Sequence, residues 1–137
     1  MWWTYALLSA VFAALTAVLA KVGIKGVSSD LATAIRTVVI LVVAWAIVFV
    51  KDNPADIFTL QPRTWLFLVL SGVATGLSWL CYFRALQLGK VSQVAPVDKL
   101  SVALAIVLSV VFLGETLTLK AALGAALIVG GTLVLIL

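Results

Sequence analysis

The chain has no histidine and a single cysteine, and only 10% of its 137 residues are charged. Each scarcity excludes something. Without histidine, the commonest metal ligand and near-neutral proton relay is gone. One thiol, Cys81, set inside an apolar run, leaves no intrachain disulfide to form and no redox compartment to infer. With so few charges, 65% hydrophobic residues and a mean hydropathy of +1.31, a soluble globular domain is excluded on composition. No nucleophile–base pair, metal-ligand cluster or phosphate-binding loop is found, so the chain does not read as an enzyme and calls for no cofactor or metal. The formal charge of +4 suits loops held against anionic lipid rather than nucleic acid.

What is present is apolar length. Runs at 3–20, 31–50, 65–83, 94–113 and 121–137 each extend for roughly 17–20 residues, or about 25–30 Å of helix, the depth of a hydrocarbon core. Lipid offers the backbone no hydrogen bonds, so each run is expected to be a helix that satisfies its own amides. The predicted fold class is all-α, a bundle of five transmembrane helices at about 3–22, 31–50, 64–84, 93–113 and 119–137, in one domain covering 1–137. The opening Met1, Trp2, Trp3, Thr4 and Tyr5 contain no basic residue, and the run they begin is too long for a signal-peptide core. It reads as a retained first helix with an aromatic belt at the interface.

Polar residues recur at helical spacing: Tyr5, Ser9 and Thr16 in the first run, Ser71, Thr75, Ser78 and Tyr82 in the third, Asp98, Ser101 and Ser109 in the fourth. Such stripes are expected to face the bundle interior. Ser28, Ser29 or Asp30 can cap the second helix, and Arg84 is expected to end the third. Pro96 is placed in the first turn of the fourth helix, where a missing amide hydrogen costs little. Small residues Gly72 and Gly76, and Gly124 and Gly131, are read as helix-packing positions.

The charged residues in or near the spans are Lys21, Arg36, Arg84, Asp98 and Lys99, all in the same half of the membrane by helix direction. Left facing lipid at mid-span, such a charge costs about 2.5–3.5 kcal/mol. Four cations against one carboxylate suggest a basic vestibule for an anionic or zwitterionic solute. The structural reading has Lys21 and Arg84 snorkelling to the interface and Asp98 paired with Arg36 or Lys99. The candidate substrate-binding residues are Lys21, Arg36, Trp79, Tyr82, Asp98, Lys99 and Ser101. Trp79, Tyr82 and Phe83 serve either to stack a ligand or to pack helices. Glu115 is read either as a helper in capping the last helix beside Thr116 and Thr118 or, in an antiparallel dimer, as a carboxylate brought to the depth of the other copy's cationic cluster.

Five spans put the termini on opposite faces. Lys51, Arg63 and Lys120 fall on the N-terminal side, and Lys21, Lys25, Arg84, Lys90, Arg36 and Lys99 on the other, which leans towards an external N-terminus and a cytoplasmic C-terminus.

Tyr82, Phe83, Arg84, Ala85 and Leu86, then Gly89, Val94, Ala95, Pro96 and Val97, together with Phe112, Leu113, Gly114 and Glu115 and the small-residue run from Gly124 to Gly131, resemble an EamA-type unit of the drug/metabolite transporter superfamily. Lys21 and the segment Ala34, Ile35 and Arg36 fit the same pattern. Members usually carry two such units, mutually inverted, in one chain. The resemblance therefore implies a half-size secondary transporter in a bacterial or archaeal plasma membrane, working as a homodimer, antiparallel if it acts alone. Helices one to four would line the pathway, with the fifth more peripheral. No acidic residue stands in the first helix, unlike the small multidrug exporters of that superfamily. The competing readings are a non-transporting membrane subunit that meets a partner through the last helix, or a component of a lipid-linked-sugar flippase.

Overall fold

The computed structural model describes residues 1–137, and the chain is all-α. Its helices are α1 (Trp2–Gly23), α2 (Ser29–Lys51), α3 (Pro62–Leu88), α4 (Val91–Asp98), α5 (Leu100–Leu113) and α6 (Leu119–Ile136), with one short 3-10 helix, Pro54–Thr59, between α2 and α3. With α4 and α5 taken as one span, Val91–Leu113, five helices are long and apolar enough to cross a membrane. Their leucine, valine and isoleucine side chains are mostly exposed, as lipid-facing surface is, and the chain is a multi-pass membrane protein.

Side chains at the helix ends explain where the helices begin and stop. The Ser28 hydroxyl accepts from the Leu31 amide at 3.2 Å and caps α2, and Thr118 does the same for α6 through the Ala121 amide at 3.2 Å. The α1–α2 connection turns at Gly26, with φ of 76°. Gly114, with φ of 67°, closes α5 in the left-handed conformation and brings the Glu115 amide to the Ser109 carbonyl at 3.3 Å.

Within the membrane-spanning stretches several hydroxyls return to their own helices. Thr33 donates to Ser29 O at 2.8 Å, Thr37 to Thr33 O at 2.8 Å and Thr75 to Ser71 O at 2.9 Å. A hydroxyl satisfied in this way has no need of a polar interior. Ser71, Thr75 and Ser78 of the α3 stripe are exposed in the chain, and the expectation that the stripe faces the bundle interior is not met for them.

Two compact units divide the chain. One comprises Leu19–Gln87: the last turn of α1, then α2, the 3-10 helix and nearly all of α3. Its buried residues are Ala20, Ile24, Ser29, Thr33, Phe83 and Leu86. The other comprises Met1–Val18 and Leu88–Leu137, in which α6 packs against both α4 and α5. There the Thr132 hydroxyl, 3% exposed, lies 2.7 Å from Ile128 O in its own helix and 3.2 Å from Pro96 O in α4.

Two helix boundaries depart from the sequence reading. Helix α3 does not end at Arg84 but continues to Leu88. The fourth span begins at Val91, so Pro96 is inside α4 rather than in its first turn, and the expected continuous helix 93–113 is interrupted at Lys99. The proline supplies no amide hydrogen to the preceding turn and its ring crowds that turn. Beyond it the backbone tightens: the Lys99 amide donates to Pro96 O at 3.0 Å and the Val102 amide to Lys99 O at 3.0 Å, both across three residues.

Candidate functional site

The strongest polar construction belongs to the Leu19–Gln87 unit and gathers around the C-terminal end of α3. The last carbonyls of a helix have no partner within it and carry its negative dipole end. Lys21, in the last turn of α1, places its ammonium on one of them, Leu86 O, in a part-buried hydrogen bond. One residue on, the Gln87 amide donates to Val27 O at 2.6 Å and accepts from Arg84 Nη1 at 3.1 Å. Ile24 and Leu86, which belong to the same unit, are both buried, the latter fully. These contacts tie the α1–α2 connection to the end of α3.

Arg36 is the eighth residue of α2, so its Cα lies about 10 Å along the helix from its start. Its guanidinium carbon sits 4.2 Å from the centroid of the Phe83 ring. Phe83 is only 1% exposed, so the stack is at least partly desolvated, a setting in which cation–π attraction reaches about 2 kcal/mol. Tyr82 meets Phe83 edge-on, with ring centroids 5.6 Å apart and planes at 70°. Trp79, Tyr82 and Phe83 fall at spacings of three and four and therefore share one face of α3. The cation thus rests on an aromatic wall rather than on a carboxylate.

Of the residues singled out in the sequence, Lys21, Arg36, Trp79 and Tyr82 belong to this unit, and Asp98, Lys99 and Ser101 to the other. In that second unit Asp98 Oδ2 lies 3.3 Å from Lys99 Nζ. Of the two partners the sequence left open for Asp98, it is Lys99 that pairs with it. Both side chains are substantially exposed, and such a pair contributes little to stability on its own. Its place is what distinguishes it, since it stands at the interruption between α4 and α5. Ser101 is exposed in the first turn of α5.

A β-carbon added at Gly72, Gly76, Gly124 or Gly131 would meet no heavy atom within 4 Å. The helix-packing role read for these glycines from the sequence is not realised by a close neighbour within the chain. Gln87 and Thr132 were missed by sequence reasoning, and Phe83 was singled out only as one of an aromatic group, not as the seat of Arg36. Phe83 was legible as part of the aromatic face of α3, and Gln87 as an amide three residues beyond Arg84; Thr132 left no signal beyond being a hydroxyl in a span.

The sequence profile of the EamA-like transporter family matches residues 1–137, the whole chain. An uncharacterised transporter encoded in the region 3′ of cobO in a Sinorhizobium species is 56% identical over 134 residues, covering 98% of this chain and 95% of that protein. An uncharacterised protein of Methanocaldococcus jannaschii is 36% identical over 69 residues, 50% of each chain. No solved structure matches the chain.

Proposed function

Because the chain belongs to the EamA-like transporter family, we propose that it is one half of a dimeric secondary transporter that moves a small anionic or zwitterionic metabolite across the plasma membrane by alternating access. Arg36 carries the reading. It is a permanently charged side chain within a spanning helix, held 4.2 Å over the Phe83 ring and without a carboxylate partner. A group in that state is costly to keep and well disposed to receive an anion. At about 4 Å and an effective dielectric near 20, one carboxylate or phosphate contact amounts to about 4 kcal/mol before desolvation is subtracted. The exposed Lys99 at the α4–α5 interruption is the second candidate contact. Discontinuous helices at the substrate level are a recurrent device of secondary transporters.

An inverted pair of units supplies the two-sided access that alternating transport needs, and an odd number of spans produces inversion only when a second copy or partner inserts the other way. The proposed assembly is a homodimer, antiparallel if the protein acts alone. The test is flux in proteoliposomes with a panel of carboxylates, phosphates, amino acids and quaternary ammonium compounds. Arg36→Gln is expected to reduce flux of an anionic or zwitterionic solute about tenfold or more, the equivalent of at least one lost charge contact, with insertion and helicity intact. Robust quaternary ammonium transport, unchanged in Arg36→Gln and Lys99→Gln, would overturn the substrate class.

A further inference from the structure

A recess of about 390 Å³ lies between the C-terminal half of α2 and the 3-10 helix that follows it. That volume is within the range of about 300–1,000 Å³ typical of small-molecule sites. Its wall is apolar, formed by Trp45 and Val48 of α2 with Ile57 and Leu60, while Asp52 and Asp56 also line it. Both aspartates are exposed, neither carboxylate takes a hydrogen bond or an ion pair from within the chain, and no lysine or arginine is among the lining residues. The shape and charge together describe an amphiphile with a cationic head and an apolar tail.

The level of the recess identifies the source. Helix α2 runs from Ser29 to Lys51 and crosses the hydrocarbon, so the segment from Lys51 onward lies where the chain emerges among the head groups. Phe58, in the 3-10 helix, is 90% exposed, and Trp45 lies on the last turns of α2, both aromatics of the kind that settle at this boundary. A molecule reaching the recess from the membrane side is a lipid. Of the common head groups, a primary ammonium donates three hydrogen bonds and can bridge two carboxylates; a choline donates none, and a glycerol head brings no cation. The phosphate beside that ammonium needs its own counter-charge, and Lys51, outside the lining but next to Asp52 in sequence and exposed, is the nearest cation along the chain.

We infer that this recess is a specific site for phosphatidylethanolamine, its ammonium between Asp52 and Asp56 and an acyl chain against Trp45, Val48 and Ile57. The site is built without Arg36 or Lys99, and its occupancy is independent of what the protein transports.

The test is lipid competition on the purified full chain. The protein is exchanged into mixed micelles holding equal amounts of phosphatidylethanolamine, phosphatidylcholine and phosphatidylglycerol, and the retained lipid is counted by native mass spectrometry. The wild type is expected to retain the ethanolamine lipid about tenfold over the glycerol lipid, as befits one or more charge-assisted contacts, and in excess of the choline lipid. The double variant Asp52→Asn with Asp56→Asn should abolish that preference. Ile57→Trp, which fills the recess and leaves both carboxylates in place, should reduce retention of the ethanolamine lipid specifically. Equal retention of the three lipids by the wild type overturns the inference, as does a preference that survives the double substitution. Should the double variant lose its helical circular dichroism, the wild-type competition and Ile57→Trp decide the question by themselves.

Discussion

The Arg36 guanidinium lies 4.2 Å from the centre of the Phe83 ring, so the deepest cation of α2 is seated on α3 by an aromatic face. If the ring is its seat, the two side chains are energetically coupled. A double-mutant cycle with Arg36→Gln and Phe83→Leu, read by unfolding in detergent, should give a coupling energy of about 1–2 kcal/mol. Additive effects would show that the ring only fills space.

Lys21 places its ammonium on Leu86 O, at the end of a helix whose last carbonyls have no other partner within it. Lys21→Met keeps the length and apolarity of the side chain but removes the donor. It should destabilise the protein by about 1 kcal/mol, while Lys21→Arg should restore most of the loss. Failure of arginine to rescue would argue against a capping role.

Pro96 is the residue that interrupts the fourth span. Pro96→Ala restores an amide hydrogen and should draw α4 and α5 towards one continuous helix, raising stability by up to about 3 kcal/mol. If the interruption serves transport, flux should fall in the same variant. Spin-label distances between positions in α4 and α5 report the straightening, and an unchanged distance with unchanged flux would remove Pro96 from the account.

Sidedness separates the two assemblies. Single cysteines at Asn53 and Gly89, in a chain whose native Cys81 has been replaced by alanine, are labelled from each face of intact cells. Labelling of each site from both sides supports an antiparallel homodimer. Labelling of Asn53 only from outside and Gly89 only from inside rules it out and calls for an inverted partner.

The apolar spans were legible because a membrane helix must be apolar for its whole depth, and that requirement is written residue by residue. The ends were harder to read. Arg84 and Gln87 mark the edge of the apolar run, yet α3 continues through them because Lys21 and Val27 O bind that last turn. Pro96 was visible but misplaced: Val91, Ser92 and Gln93 extend the helix backwards, and so the proline becomes an interior one. Lys21 and Arg36 stood out by their charge. Their partners did not, since a backbone carbonyl such as Leu86 O has no signature in sequence, and Phe83, though part of a visible aromatic group, carries no mark that pairs it with Arg36.

Thr33, Thr37, Thr75 and Thr132 all lie within hydrogen-bonding distance of carbonyls in the preceding turn of their own helices. These four hydroxyls are satisfied towards lipid whichever neighbours are in place. Biogenesis is the stage at which this counts. As far as these threonines are concerned, a helix can leave the translocation machinery and wait in the bilayer without a neighbour to cover them. Contacts between spans, such as Thr132 to Pro96 O, are then added to a hydroxyl already satisfied within its own helix.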